Sequence, residues 1–219
     1  MADYDASSNR VTLKVVYYGP ALSGKTTNVV ALHDMLSPQS RGEIMMFETR
    51  QDRTLFFDLL PVGFRTRSGM LVKLKLYTVP GQVAHDSTRK AVLSRADGVC
   101  FVADSAKSQS VNNAESFENL EANCRRVGLD FERLPLVIQF NKRDLPDPVP
   151  EKDLRDRWSA APWPLHMATA LTGQGVQQTF LDLMARSVES VARELDDIGA
   201  VAVTADEIRD GFLTLAKGR

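Results

Sequence analysis

The stretch "GPALSGKTT", residues 19–27, decides how this chain is read. It satisfies the pattern G-x-x-x-x-G-K-[ST] of a phosphate-binding loop. Gly19 and Gly24 let the backbone turn tightly, so that N–H groups from Leu22, Ser23, Gly24, Lys25, Thr26 and Thr27 converge on phosphate oxygens. Lys25 can reach the β- and γ-phosphates, and the Thr26 hydroxyl can meet Mg²⁺. A helix starting near Thr26 would aim its positive dipole end at the same anion. The loop has one oddity. Ala21 stands where a hydrolytic switch protein usually carries glycine. From the loop alone, a nucleotide hydrolase, a switch that barely hydrolyses, and a P-loop kinase or ATPase all stay open.

The flanks fit the motif. "VTLKVVYY" (11–18) is a β-branched run that predicts a buried strand, and "TTNVVALHDML" (26–36) predicts a helix ending before Ser37-Pro38. "EIMMFETRQDRTLFFDLLPV" holds strand-like runs around a polar insert. "GMLVKLKLYTV" (69–79) alternates and should pair with its predecessor through the turn near Arg67-Ser68-Gly69. Further on, "GVCFVAD" (98–104), "LPLVIQF" (134–140) and "LHMAT" (165–169) read as strands. Segments 112–128, 151–158 and 175–196 read as helices, and 80–90 as a polar loop entering another. The alternation predicts an α/β P-loop fold: a mostly parallel twisted sheet with helices on both faces. The expected organisation is a disordered arm at 1–10, one nucleotide-binding domain at 11–196, and a linker plus C-terminal helix at 197–219.

Composition narrows the classes. Hydrophobic residues are 43% and charged residues 25% of the chain, enough for a sizeable core and too apolar for disorder. The 27 basic residues nearly balance the 28 acidic ones, so no electrostatic footprint for nucleic acid is visible. Cys100 and Cys124 read as small buried hydrophobes, in keeping with a reducing cytoplasm. The polar start "MADYDASSNR" does not read as a signal peptide, and no apolar run has membrane-spanning length. Ala2 and the ending "AKGR" offer no lipidation signal, so any membrane contact is expected through a protein partner.

"NKRD" (141–144) follows a buried strand. The Asp144 carboxylate can accept two N–H bonds from guanine N1 and N2, a donor pair that adenine lacks. Asn141 can tie the base to the phosphate loop, and the Lys142 stem can lie over the ring. In "ATALTGQGV" (168–176), Thr169 and Ala170 are expected to present backbone N–H groups to guanine O6. With these motifs in place, the chain resembles the Ras-superfamily small GTPases. The strings "VVYYGPALSGKTTN", "RTLFFDLLP", "LYTVPGQ", "FVADSA" and "NKRDLPD" resemble in particular the MglA-type bacterial GTPases that control polarity and motility. The likeness spans about residues 11–195.

That resemblance implies further roles. Gln82 matches the glutamine that orients the attacking water, and the Gly81 N–H would contact the γ-phosphate. Thr54 is the candidate switch threonine for Mg²⁺ and γ-phosphate. Arg53 matches an arginine finger supplied in cis. The metal set is then Thr26 and Thr54, and the ligands are GTP or GDP with Mg²⁺. Thr78 stands where the wider superfamily has an Mg²⁺-holding Asp, a departure the MglA type shares. Asp58 is a candidate to compensate through water, though the residues alone favour an ordinary strand-edge carboxylate. Asp104 reads as a cap or turn residue, and the histidines show no ligand spacing.

The resemblance also implies an activating partner, an MglB-like homodimer of Roadblock fold, and a cytoplasmic protein recruited to cell poles. The Ala21 methyl is expected to crowd the γ-phosphate end, which predicts GTP binding with slow hydrolysis. A GTP-binding interaction module with negligible turnover is the alternative. In the tail, Thr204 and Glu207 form a T-x-x-E capping box, with Ile208, Phe212 and Leu215 on one helical face.

Overall fold

The computed structural model describes residues 3–36, 41–48, 56–82, 85–196 and 204–216. The elements in chain order are β1 (Asp3–Asp5), β2 (Arg10–Tyr18), α1 (Lys25–Met35), β3 (Met45–Glu48), β4 (Phe56–Arg65), β5 (Leu71–Thr78) and α2 (Asp86–Leu93). They continue with β6 (Gly98–Asp104), α3 (Ser110–Arg126), β7 (Leu136–Asn141), α4 (Glu151–Arg157), β8 (Leu165–Met167), α5 (Val176–Asp196) and α6 (Ala205–Ala216).

The sheet order is β3-β4-β5-β2-β6-β7-β8. β3–β4 and β4–β5 pair antiparallel, while β5, β2, β6, β7 and β8 run parallel. The mainly apolar runs of β6 and β7 are those of strands covered on both faces, and every residue of both is buried. Along β2 the strand period sorts side chains to two cores. Val11, Leu13, Val15 and Tyr17 face the layer of α1 and α5, with Leu32, Phe180 and Leu183. Val16 and Tyr18 face the layer of α2, α3 and α4, with Leu93, Leu120 and Leu154. Cys100 and Cys124 are buried free thiols, one in each core.

Residues 3–10 do not form the disordered arm their polarity implies. The Asp5 carboxylate accepts from the Ser7 N–H and from both serine hydroxyls, closing a turn. β1 then pairs antiparallel with the first half of β2, and β6 takes the second half.

The C-terminal helix packs back on its own domain, against α5 and β4. The capping box forms: the Glu207 N–H donates to Thr204 Oγ1 at 3.2 Å, and the Thr204 N–H to Glu207 Oε2 at 3.1 Å. The side chains of Ile208, Phe212 and Leu215 lie outside the described residues. Gly211 sets the closeness of the approach, since a Cβ there would fall 2.4 Å from Phe64 Cε2. Gly211→Val should lower stability by about 1–3 kcal/mol through overpacking. Urea unfolding checks this, and an unchanged midpoint would mean that α6 does not rest on Phe64.

No helix among the described residues is long and apolar enough to cross a membrane.

Candidate nucleotide-binding site

The predicted motifs among the described residues sit at the carboxyl edge of the parallel strands, where open α/β sheets place ligands. The phosphate loop follows β2, Gly81 follows β5, Asp104 closes β6, Asn141 closes β7 and Thr169 follows β8. Arg53 and Thr54 lie outside the described residues.

The loop turns through left-handed conformations at Leu22 and Gly24, with φ of 61° and 96°. Gly24 admits no side chain, because a Cβ would lie 2.2 Å from Asn141 Nδ2. Lys25 is buried, and its Nζ donates to the carbonyls of Gly19 (3.1 Å) and Pro20 (2.6 Å). Burial first, and then the nearby Arg89 charge, push its pKa down to about 7, with Asp58 opposing.

Asp58 is the residue that sequence reasoning undervalued. It is not a strand-edge carboxylate: it is 4% exposed and accepts from the Thr26 hydroxyl at 2.6 Å and the Thr78 hydroxyl at 2.9 Å. Thr78 Oγ1 in turn accepts the Asp58 N–H at 2.8 Å. Antiparallel pairing of β4 with β5 places the two residues face to face across a gap of 20 positions. A hydroxyl and a carboxylate in contact are hard oxygen donors of the kind Mg²⁺ takes beside phosphates and water, so the residues fit that ion. No cluster of three or more His, Cys, Asp or Glu that could hold a metal ion occurs among the described residues.

Gly81 rests on the phosphate loop. A Cβ on it would lie 2.3 Å from Ala21 Cα and 3.0 Å from the Ala21 methyl. Gln82 is exposed beside it, and both line a cavity with Ala21, Lys25, Thr26 and His85.

At the base end, Asn141 acts as a buckle. Its Nδ2 donates to the Ser23 carbonyl at 2.9 Å, and its Oδ1 accepts the Ala170 N–H at 2.9 Å. Ala170 thus braces Asn141 and lines the cavity at this end. The Thr169 N–H is likewise taken, by the Gln174 carbonyl at 2.9 Å. Lys142, at φ 64°, donates from Nζ to the buried Asp104 Oδ2 at 2.6 Å. Asp104 also keeps the turn role read from the sequence, since its Oδ1 accepts the Ala106 N–H at 2.9 Å. Asp144 lines the adjoining cavity with Leu22, Thr27, Lys142 and Leu171.

Comparison with known proteins shows the family. The model of the ADP-ribosylation factor family matches residues 6–187. The mutual gliding-motility protein MglA of Myxococcus xanthus is 42% identical over 179 residues, covering 82% of this chain and 92% of that protein. ADP-ribosylation factor-like protein 6 of Caenorhabditis elegans is 23% identical over 178 residues, covering 79% of this chain and 85% of that protein. The phosphate loop thus belongs to a guanine-nucleotide hydrolase rather than to a kinase or ATPase, and the chain is a small GTPase of the ADP-ribosylation factor family, of the MglA type.

Proposed function

We propose that this GTPase is a slow switch whose off-step waits for a partner. The observation that carries the reading is the seat of Gly81 on Ala21. The segment bearing Gln82 approaches the phosphate loop at the one position where this chain has a methyl group in place of a hydrogen. Hydrolysis needs Gln82 to hold a water in line with the γ-phosphate, and a displacement of about 1 Å there costs on the order of 10²-fold.

In this reading Lys25 leaves the carbonyls of Gly19 and Pro20 and turns its ammonium to the β- and γ-phosphates. Residues 22–27 supply backbone N–H groups to the same oxygens. Thr26 and Asp58 hold Mg²⁺, joined by Thr54. When bound, that ion neutralises charge on the β- and γ-phosphate oxygens. Arg53 stabilises charge on the transferring group from within the chain. Gly81 gives its N–H to the γ-phosphate, so GTP orders the segments around residues 49–58 and 80–90, and hydrolysis releases them. Asp144 reads guanine, Lys142 covers the ring, and Asn141 joins base to phosphate loop. The activating partner is an MglB-like Roadblock homodimer, and the switch serves polarity or motility from the cytoplasm, with recruitment to cell poles. The name of the Myxococcus relative supports the motility role.

Multiple-turnover phosphate release, with and without such a partner, tests this. We expect slow release alone, acceleration with partner, and a faster rate for Ala21→Gly by about tenfold or more. A rate unchanged or lowered in Ala21→Gly would remove crowding as the cause. No release under any condition would favour the second reading, a GTP-binding module without turnover, which the same contact between Ala21 and Gly81 supports.

A further inference from the structure

Two large apolar side chains stand in the open at the base end of the site, and no role above uses them. Leu22 is 87% exposed and Leu171 80%, the two highest values for large hydrophobic residues among the described residues. Single apolar residues on a surface are ordinary, and Val30, Met45, Met46 and Val111 lie scattered over α1, β3 and α3. Leu22 and Leu171 are not scattered. Far apart in the chain, they line one cavity of about 220 Å³, together with Lys142, Asp144 and Leu145.

The backbone holds both in place. Leu22 has φ of 61°, a left-handed conformation that is an outlier for a bulky residue and easy for glycine. The loop has glycine at position 24, where a Cβ would strike Asn141, yet a leucine at position 22, where the backbone also turns left-handed. Leu171 sits at the tip of a closed turn. The Thr172 N–H donates to the Thr169 carbonyl at 3.0 Å, and the Gly173 N–H to the Ala170 carbonyl at 3.2 Å. Asn141 spans the two leucines. It donates to the carbonyl of Ser23, the neighbour of Leu22, and accepts the N–H of Ala170, the neighbour of Leu171. One buried side chain therefore ties together the two turns that present them.

A cavity with a carboxylate inside and apolar groups at its rim suits a ligand with N–H donors on one edge and apolar faces beside it. A purine nucleoside has both, and a phosphate has neither. We propose that Leu22 and Leu171 are binding residues for the nucleoside, an apolar clasp that holds the purine and its sugar while Asp144 reads the base. This rests on the guanine reading of the cavity and deepens it. Hydrogen-bonded groups discriminate strongly between ligands and apolar contacts weakly, so Asp144 selects the base and the leucines add affinity common to purines.

The test uses the full chain, stripped of nucleotide, and its Leu22→Ala, Leu171→Ala and Leu171→Met variants. Calorimetric titration with GDP, guanosine and inorganic pyrophosphate, all with Mg²⁺, gives the affinities. Each alanine variant should bind guanosine and GDP more weakly by a common factor of about five- to tenfold, the scale of uncovering a few methylene groups, with pyrophosphate unchanged. Leu171→Met should keep most of the affinity, since it keeps the volume. The nucleotide-free melting temperatures should match that of the unaltered chain, because both side chains are exposed. Intact GDP affinity in both alanine variants would overturn the proposal. So would a loss that pyrophosphate shares in full, which would trace the effect to the backbone of the loop, or a lowered nucleotide-free melting temperature. Intact GDP affinity with lost stimulation by a Roadblock-fold activating partner would likewise overturn it and place the leucines in a protein interface. If the unaltered chain bound GDP no better than pyrophosphate, the guanine reading itself would fail and take the proposal with it.

Discussion

Asp144→Asn should move this protein from guanine to xanthine nucleotides. GDP affinity is expected to fall by about 10³-fold or more, because a site built around a hydrogen-bonded pair rejects the ligand that leaves its groups unmatched. In the proposed reading the carboxylate accepts from N1–H and the N2 amino group of guanine. An asparagine side chain offers one acceptor and one donor, which suits xanthine, where a carbonyl replaces that amino group. The substitution keeps size, and the surroundings hold position 144 on both sides. The Arg143 N–H donates to the Ala168 carbonyl at 3.1 Å, and its guanidinium to the Val149 carbonyl at 2.7 Å. On the other flank, Leu145 N–H bonds to the Lys142 carbonyl at 3.2 Å. Displacement of labelled GDP by unlabelled GDP and by xanthosine diphosphate measures the exchange of preference. Equal GDP affinity in both proteins would take Asp144 out of base reading.

How much of this was legible beforehand depended on sequence distance. The phosphate loop, the strands β6 and β7 and the helix α5 announced themselves, since a local pattern encodes each of them. The capping box of α6 is likewise a contact over three residues. Asn141 was readable as a tie because its motif is fixed, but its partners were not: Ser23 is 118 residues away and Ala170 is 29. The partners of Thr169 and Ala170 are hidden for a related reason. Their N–H groups look free in a loop sequence, and only the folded turn shows that they donate to Gln174 and Asn141. Arg89 drew no attention because an arginine in a helix reads as solvated, and its burial is a product of α2 packing on α3. The β1 hairpin was missed because its turn is closed by the Asp5 side chain rather than by apolar residues.

Asp58 is the strongest case, and its loss is the other large effect expected. Asp58→Asn should leave nucleotide bound about 10²-fold less tightly in the presence of Mg²⁺, on the scale of losing a charged partner from a buried site. The diagnostic is kinetic. In the unaltered protein, chelating Mg²⁺ should speed GDP release. In Asp58→Asn, release should already be fast, and chelation should add little. The amide keeps an acceptor for the Thr26 and Thr78 hydroxyls, so folding is expected to survive better than in Asp58→Ala, where the Thr26 and Thr78 hydroxyls lose their acceptor. The cross-strand contact allows a stricter check. Thr78 and Asp58 touch at 2.9 Å, so Asp58→Thr with Thr78→Asp moves the carboxylate from β4 to β5 without leaving the site. The double variant should regain chelation-sensitive release that Asp58→Thr alone lacks. If Asp58→Asn stays as sensitive to chelation as the unaltered protein, the carboxylate holds the loop's threonine and not the ion. If the double variant fails where the single variants fold, the metal requires its carboxylate on β4, the strand that runs directly from residues 49–55 and so links Asp58 to the segment carrying Arg53 and Thr54.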